Sequence, residues 1–161
     1  MKPPLLLVDV DGVISLYGAP RRDSENVLTI LLDGTPHVLS RTAARALRGL
    51  AGEFQCVWCT GWEERAGEHL PRALDLPRGW PHIAFPDRPE PAAHWKLAGI
   101  DAFAGPARPL AWIDDSHDDA CRAWAAARPA PTLLVTTVPD VGLTEAHARE
   151  LRAWATDLWS T

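Results

Sequence analysis

Two aspartates directly follow an apolar run near the start of the chain, in the order Leu5-Leu6-Leu7-Val8-Asp9-Val10-Asp11-Gly12. A short continuous apolar run is typical of a strand that is buried on both faces. Because side chains alternate along a strand, Asp9 and Asp11 would point the same way at its carboxyl end, where parallel α/β sheets bind ligands. Gly12 lets the chain turn sharply away. The alternative is that the two acids cap an ordinary turn.

Ionised carboxylates at the end of a buried strand need compensation, because burying an unpaired charge is costly. A bound cation, a phosphate-binding arrangement or pKa values raised enough to keep the acids neutral would each supply it. A divalent metal ion is the simplest of the three.

Two other apolar runs also end in residues that can do chemistry. Thr60 and Gly61 follow the run from Phe54 to Cys59, and Asp114-Asp115-Ser116 follows the run from Leu110 to Ile113. The carboxyl ends of parallel strands meet at one edge of a sheet, so these groups would lie near Asp9.

Lys96 stands out by composition. The chain has fourteen arginines and two lysines, and the other lysine is Lys2 near the terminus. A compact ammonium in a sequence that otherwise uses arginine indicates a position where a point charge is required. The alternative is a surface lysine on a helix.

The elements that would position these residues alternate between strands and helices. Strands are predicted at 5–8, 54–59, 82–85, 110–113 and 132–137, and helices at 41–50 after Ser40, 62–70, 95–103, 117–128 and beyond Thr144. Such alternation favours an α/β fold with one doubly wound, Rossmann-like parallel sheet. No linker or repeat divides the chain, so residues 1–161 are expected to form one domain.

Residues 15–40 interrupt the alternation. Apolar runs flank Asp33-Gly34, which is a strong signal for a β-hairpin. The hairpin could form a flap beside the acidic motif and select the substrate, or it could simply extend the sheet. Arg21 and Arg22 precede it and are candidates to bind a second phosphate or a polymer backbone.

The ordered set Asp9/Asp11, Thr60, Lys96 and Asp114/Asp115 resembles the four motifs of the haloacid dehalogenase-like (HAD) phosphohydrolases. The resemblance covers residues 5–119, and four motifs in order are more specific than any one of them. It implies an α/β fold without a large cap domain, because neither stretch between the motifs is long enough for one. It also implies hydrolysis of phosphomonoesters with Mg²⁺ as cofactor.

The same resemblance implies a role for each residue. Asp9 would be the nucleophile that forms an aspartyl-phosphate, and Asp11 would act first as acid and then as base. Thr60 would donate its hydroxyl to a phosphoryl oxygen, and the backbone N–H of Gly61 would contact the same group. Lys96 would balance the remaining negative charge.

Four acids are implied as the metal site. Asp9, the backbone carbonyl of Asp11 and an acid of the fourth motif would hold Mg²⁺, an oxygen-only set that suits this ion. Asp115 is favoured as the direct ligand and Asp114 as a second or water-mediated one. Asp119 is expected in the first turn of a helix, or as a residue that orients the site.

A closer resemblance links the chain to HAD domains associated with Swiss Army Knife RNA-repair proteins. It is carried by Val8 to Val13, Thr60 to Glu63, Trp95 to Leu97, 111–115 and 131–135. It implies RNA or DNA ends, or nucleotides, as substrates, with Trp62 at the mouth of the site. Five arginines could surround that mouth or could be ordinary surface residues: Arg21, Arg22, Arg41, Arg65 and Arg88. The competing hypothesis is a phosphate-responsive signalling or binding module without turnover.

Composition narrows the function classes. A net charge of −5 speaks against a protein that coats nucleic acid broadly or binds a membrane surface, and no apolar run approaches the length of a membrane span. Nothing in the sequence indicates an obligate protein partner, and a cytoplasmic location is expected. Cys56, Cys59 and Cys121 are an odd set, expected to be buried thiols, with Cys56 and Cys59 on opposite sides of the sheet.

Overall fold

The structure is a computed structural model that describes residues 2–86 and 91–160. The strands are β1 (Leu5–Val8), β2 (Ser15–Leu16), β3 (Val27–Leu32), β4 (Thr35–Ser40), β5 (Gln55–Trp58), β6 (Leu110–Asp114) and β7 (Thr132–Thr136). The helices are α1 (Arg41–Leu50), α2 (Glu64–Leu74), α3 (Leu97–Ala104), α4 (Asp119–Ala127) and α5 (Glu145–Asp157), and a 3₁₀ turn at Ala93–Lys96 precedes α3.

Four strands form a parallel sheet in the order β5-β1-β6-β7. The chain passes from β1 to β5 on one side and then crosses to β6 on the other, so β1 lies at the point where the winding direction reverses. Val8 of β1 is level with Trp58 of β5 and Ile113 of β6. Asp9 and Asp114 therefore emerge side by side at the carboxyl edge, which is where such sheets bind ligands.

Apolar residues cover both faces of this sheet. Leu6 and Val8 face one core with α1, α2 and α5, whereas Leu5 and Leu7 face a second core with α3 and α4. The continuous apolar run at Leu5–Val8 is explained by this double burial. The predicted α/β fold with helices on both faces of a parallel sheet is confirmed, and no large cap is evident among the described residues.

The predicted hairpin is present, but it does not join the parallel sheet. β3 and β4 pair across Asp33-Gly34, where both residues have positive φ as a tight hairpin turn requires. β2 adds a third strand, giving a separate antiparallel sheet in the order β2-β4-β3. The hairpin is therefore a small insertion beside the acidic motif.

The predicted strand at 82–85 is wrong. Only His82 forms a bridge, to Trp58, and the chain then leaves the sheet. Pro81 and Pro86 flank the segment, and a proline has no N–H to donate to a ladder. The sheet consequently has four strands where five were expected.

Several helix ends also differ from the prediction. Glu63 has a φ of 49°, which is not helical, so α2 begins at Glu64 instead of Trp62. Asp118 caps α4 by accepting a hydrogen bond from the Cys121 N–H, so this helix begins at Asp119. Ser40 and Thr144 cap α1 and α5 as predicted. Among the helices in the described ranges, none combines the length and apolar character needed to cross a membrane.

Candidate functional site

A buried lysine lies between two buried aspartates at the carboxyl edge of the parallel sheet. Lys96 Nζ is 3.1 Å from Asp9 Oδ1 and 2.6 Å from Asp114 Oδ2, and it also donates to the Cys59 carbonyl at 3.0 Å. The 3₁₀ turn that ends at Lys96 brings this side chain back over the ends of β1, β5 and β6. The ammonium thus links three neighbouring strands.

The pKa values of this group follow from burial and pairing. Burial raises the pKa of Asp9 well above its usual range, Lys96 opposes this, and Asp114 adds to it. Burial alone would lower the pKa of Lys96, but Asp9 and Asp114 outweigh it and raise that pKa. A single ammonium therefore does not fully compensate the buried acids.

Asp115 completes a cluster of three carboxylates. One oxygen from each of Asp9, Asp114 and Asp115 lies within 4.8 Å of the others. Asp115 is half-buried and accepts a hydrogen bond from the Tyr17 hydroxyl. The Ser116 N–H donates to Asp114 Oδ1 at 2.9 Å, so both Asp114 oxygens already have a protein partner.

Gly12 makes the approach of Asp115 possible. Its φ is +78°, and a Cβ at this position would lie 2.5 Å from Asp115 Cγ. Its carbonyl accepts a hydrogen bond from the buried Thr137 hydroxyl at 2.7 Å. The turn after Asp11 is therefore fixed from two sides, and only a residue without a side chain fits there.

Asp11 lies at the rim of the site, apart from the carboxylate cluster. Its Oδ2 accepts a hydrogen bond from Trp62 Nε1 at 3.1 Å. Partial burial raises the pKa of Asp11, and the Trp62 hydrogen bond opposes that shift. The two acids of the first motif thus have different surroundings: Asp9 faces Lys96, and Asp11 faces an indole.

Thr60 is almost completely buried at the end of β5. Its side chain is 1% exposed, and Thr60 Oγ1 accepts a hydrogen bond from the Trp62 N–H at 3.1 Å. Gly61 and Trp62 line the cleft next to it. The Thr60 hydroxyl lies beneath these two residues, and its contact with a phosphoryl group remains a prediction.

Most of the predicted catalytic and metal-binding residues line a cleft of about 410 Å³, although the buried Thr60 does not. Its lining includes Asp9, Asp11, Gly61, Trp62, Lys96, Asp114 and Asp115. A second cavity, also about 410 Å³, lies on the far side of Trp62, between the hairpin and α2. His37 and Arg65 line this second cavity, and Gly61 and Trp62 belong to both.

The arginines are less well placed than expected. Arg21 and Arg22 are exposed in the loop before β3, and neither lines the cleft. Arg41 belongs to a separate depression between α1 and α2, and Arg65 pairs with Asp33 of the hairpin turn. Arg88 lies outside the described residues.

Asp119 does not contact the carboxylates. Its side chain is fully exposed and pairs with Arg122 at 2.6 Å. Its role is that of an acid in the first turn of α4, where it suits the helix dipole.

Two residues of the site were missed from the sequence. Tyr17 lines the cleft and holds Asp115, and it is the only tyrosine of the chain. His37 of the hairpin packs against Trp62. A lone tyrosine directly after the acidic motif was a usable signal for Tyr17, whereas His37 depends on how the hairpin folds back.

The arrangement combines an oxygen-rich cluster, a buried ammonium and a separately held acid in one open cleft. Hard divalent cations prefer such all-oxygen ligands. A comparison of the chain with protein-family models and with curated protein sequences found no match. Any function proposed for the chain therefore rests on its own residues and on the resemblance carried by their motifs.

Proposed function

We propose that the protein is a Mg²⁺-dependent phosphomonoester hydrolase that acts through an aspartyl-phosphate on Asp9. The observation that carries the proposal is the cluster of Asp9, Asp114 and Asp115 around Lys96. An anionic nucleophile can approach an anionic phosphoryl group only where positive charge surrounds both. Membership of the HAD superfamily is part of this proposal and is supported by the order of the four motifs along the chain.

The charge of the cluster fits a divalent cation. Three carboxylates and one ammonium leave two negative charges when all are ionised. Burial is the main reason why the pKa of Asp9 is raised, and the neighbouring Asp114 adds to it. Asp9, Asp115 and Asp114 would hold Mg²⁺, together with the Asp11 backbone carbonyl. When bound, the ion neutralises charge on the phosphoryl oxygens.

The remaining steps use the protein's own side chains. An Asp9 carboxylate oxygen attacks phosphorus, forming the acyl-phosphate O–P bond as the bond to the leaving oxygen breaks. Asp11 gives its proton to that oxygen, so the leaving group departs as a neutral alcohol. Asp11 then takes a proton from water, which attacks the phosphorus of the acyl-phosphate and releases phosphate and Asp9.

The substrate is a phosphomonoester that can reach an open cleft. No large cap covers the cleft in the described part of the chain, so bulky substrates are accommodated. RNA ends, DNA ends and nucleotides are proposed on the resemblance to RNA-repair HAD domains. A panel that compares these with phosphopeptides and small phosphoesters tests that choice.

Replacing Asp9 by Asn tests the mechanism. The amide keeps the shape of the side chain but lacks the nucleophilic charge, so Mg²⁺-dependent release of phosphate from p-nitrophenyl phosphate should fall below detection. Acid quenching followed by mass spectrometry should find phosphate on Asp9 of the wild type. Asp23→Asn, an exposed position in the loop before β3, is the matched control and should be fully active. Unchanged turnover in a folded Asp9→Asn protein would refute the mechanism.

A further inference from the structure

Trp62 lies between the hairpin and the carboxylate of Asp11. On one side its Nε1 donates to Asp11 Oδ2 at 3.1 Å. On the other side its ring meets the ring of His37 edge to face, with centroids 5.0 Å apart and planes at 70°. His37 Nδ1 lies 3.1 Å from Ser15 Oγ, which fixes the imidazole on the antiparallel sheet. A continuous series of contacts thus runs from the hairpin to Asp11.

The hydrogen bond from Trp62 also distinguishes the two oxygens of Asp11. An indole N–H can only donate, so Oδ2 must accept there and cannot direct an acid proton at Trp62. Oδ1 is left as the oxygen that can carry a proton to a substrate. Among the described residues, Trp62 is the one side chain that donates to the Asp11 carboxylate.

Trp62 is itself held at several points. Its own N–H donates to Thr60 Oγ1, and Thr60 is buried at the end of β5. The indole is only half-buried, and the ring of His37 packs against it from the hairpin side. An acid at the rim of an open cleft gains a fixed direction from such a support.

We propose that Trp62 is a positioning residue for Asp11, and that the hairpin acts on the chemical step by holding Trp62 through His37. This inference rests on the proposed phosphohydrolase function. It gives the hairpin a role other than the selection of substrate expected from the sequence.

Trp62→Phe tests the inference, because it keeps the ring that packs on His37 and removes the N–H donor. Single-turnover rates are measured on two substrates, p-nitrophenyl phosphate with a good leaving group and an alkyl phosphate with a poor one. Only the poor leaving group needs a well-aimed proton in the first step. The alkyl phosphate rate should fall about 10–10²-fold, while the p-nitrophenyl phosphate rate changes little.

Trp154→Phe is the matched control. Trp154 of α5 stacks on Phe54, does not line the cleft, and is half-buried like Trp62. It should leave the ratio of the two rates unchanged. Equal losses on both substrates in Trp62→Phe would indicate a structural role, and a rise in KM alone would indicate a substrate contact; either result would overturn the inference.

A double-mutant cycle separates positioning from other effects. In an Asp11→Asn background, Trp62→Phe should cost nothing further on the alkyl phosphate, because the group it positions is already gone. Additive losses would contradict the inference. If Trp62→Phe fails to fold, His37→Ala supplies a second route: it should lower the alkyl phosphate rate selectively, and His37→Phe should restore it by replacing the ring.

The outcome is separable from that of the proposed function. Absence of any Mg²⁺-dependent turnover in the wild type would refute the function itself. Wild-type turnover with an unchanged ratio of rates in Trp62→Phe would leave the function standing and refute only the role of Trp62.

Discussion

Gly12 and Gly34 share a backbone conformation but have different surroundings. Their φ angles are +78° and +79°, and a Cβ on Gly12 would meet Asp115, whereas a Cβ on Gly34 would meet nothing within 4 Å. Substituting both positions therefore distinguishes two effects: the strain of a positive φ, which both share, and the clash with the Asp115 carboxylate, which only Gly12 has.

Alanine at these two positions should give different results. Gly34→Ala should lower the free energy of unfolding by about 1 kcal/mol through backbone strain alone. Gly12→Ala should lower it by about 2–4 kcal/mol, because overpacking adds to the strain. Denaturant titration measures both.

The affinity for Mg²⁺, measured by calorimetry, is the second quantity to compare between these two variants. The displaced Asp115 should weaken binding in Gly12→Ala, while Gly34→Ala should bind as the wild type does. Equal behaviour of the two variants would show that Asp115 moves aside without consequence.

For individual residues of the site, the sequence predicted which ones lie close together. It predicted the contacts of each residue less well. Asp9 and Asp114 lie together because strand ends in a parallel sheet share an edge, which follows from the pattern, whereas Lys96 reaches them from the 3₁₀ turn before α3. The hydrogen bond between Trp62 and Asp11 could not be predicted, because it depends on how the indole is oriented in the turn after β5. The depth of Thr60 likewise depends on packing that no spacing rule describes.

Ser40 joins two elements that serve the site. It ends β4, its N–H donates to the Ile14 carbonyl at 2.8 Å, and its Oγ accepts from the Ala43 N–H at 3.0 Å. One residue thus ties the hairpin to the turn after Asp11 and to the start of α1.

Ser40→Ala should lower the free energy of unfolding by about 1 kcal/mol, the usual cost of losing an N-terminal cap. The backbone bond to Ile14 survives, so catalytic rates should change little. Ser160→Ala, an exposed serine after α5, should change stability by less than about 0.5 kcal/mol. Both values come from urea denaturation, and an effect at Ser160 as large as that at Ser40 would contradict the assignment.

The elements themselves were predictable where local signals agreed with packing. Asp33-Gly34 specified the hairpin turn, and Ser40 and Thr144 marked helix starts, because turns and caps are set by neighbouring residues. The segment at 82–85 was mistaken for a strand because Ile83 and Phe85 are buried without a hydrogen-bonded ladder. A buried segment and a paired strand show the same pattern of apolar residues in a sequence.

The two cores on either side of the sheet each enclose cysteine. Cys56 lies in one core and Cys59 in the other, as alternation along a strand predicts, and Cys121 lies with Cys59. All three are free thiols. The reactivity of these thiols therefore reports on whether the two cores remain folded.

These thiols should react slowly in the folded protein. Burial raises the pKa of Cys56 to about 12 and that of Cys121 to about 11, so at pH 8 both are protonated as well as covered. Labelling with a chromogenic disulfide at pH 8 should be slow in buffer and fast in denaturant. Ser160→Cys supplies an exposed thiol as a positive control, and rapid labelling of three thiols without denaturant would show that the cores open readily.

The central place of β1 has a consequence for how the protein is made. β1 leaves the ribosome before its partners β5 and β6, which are translated much later. Until then, the apolar stretch Leu5–Val8 has no strand to pair with and is a natural target for a chaperone. Asp9 is synthesised well before its neighbour Asp114 at the end of β6, so the carboxylate cluster assembles only after β6 has been translated. A nascent chain that stalls before β6 therefore carries the proposed nucleophile and Lys96 without Asp114 and Asp115.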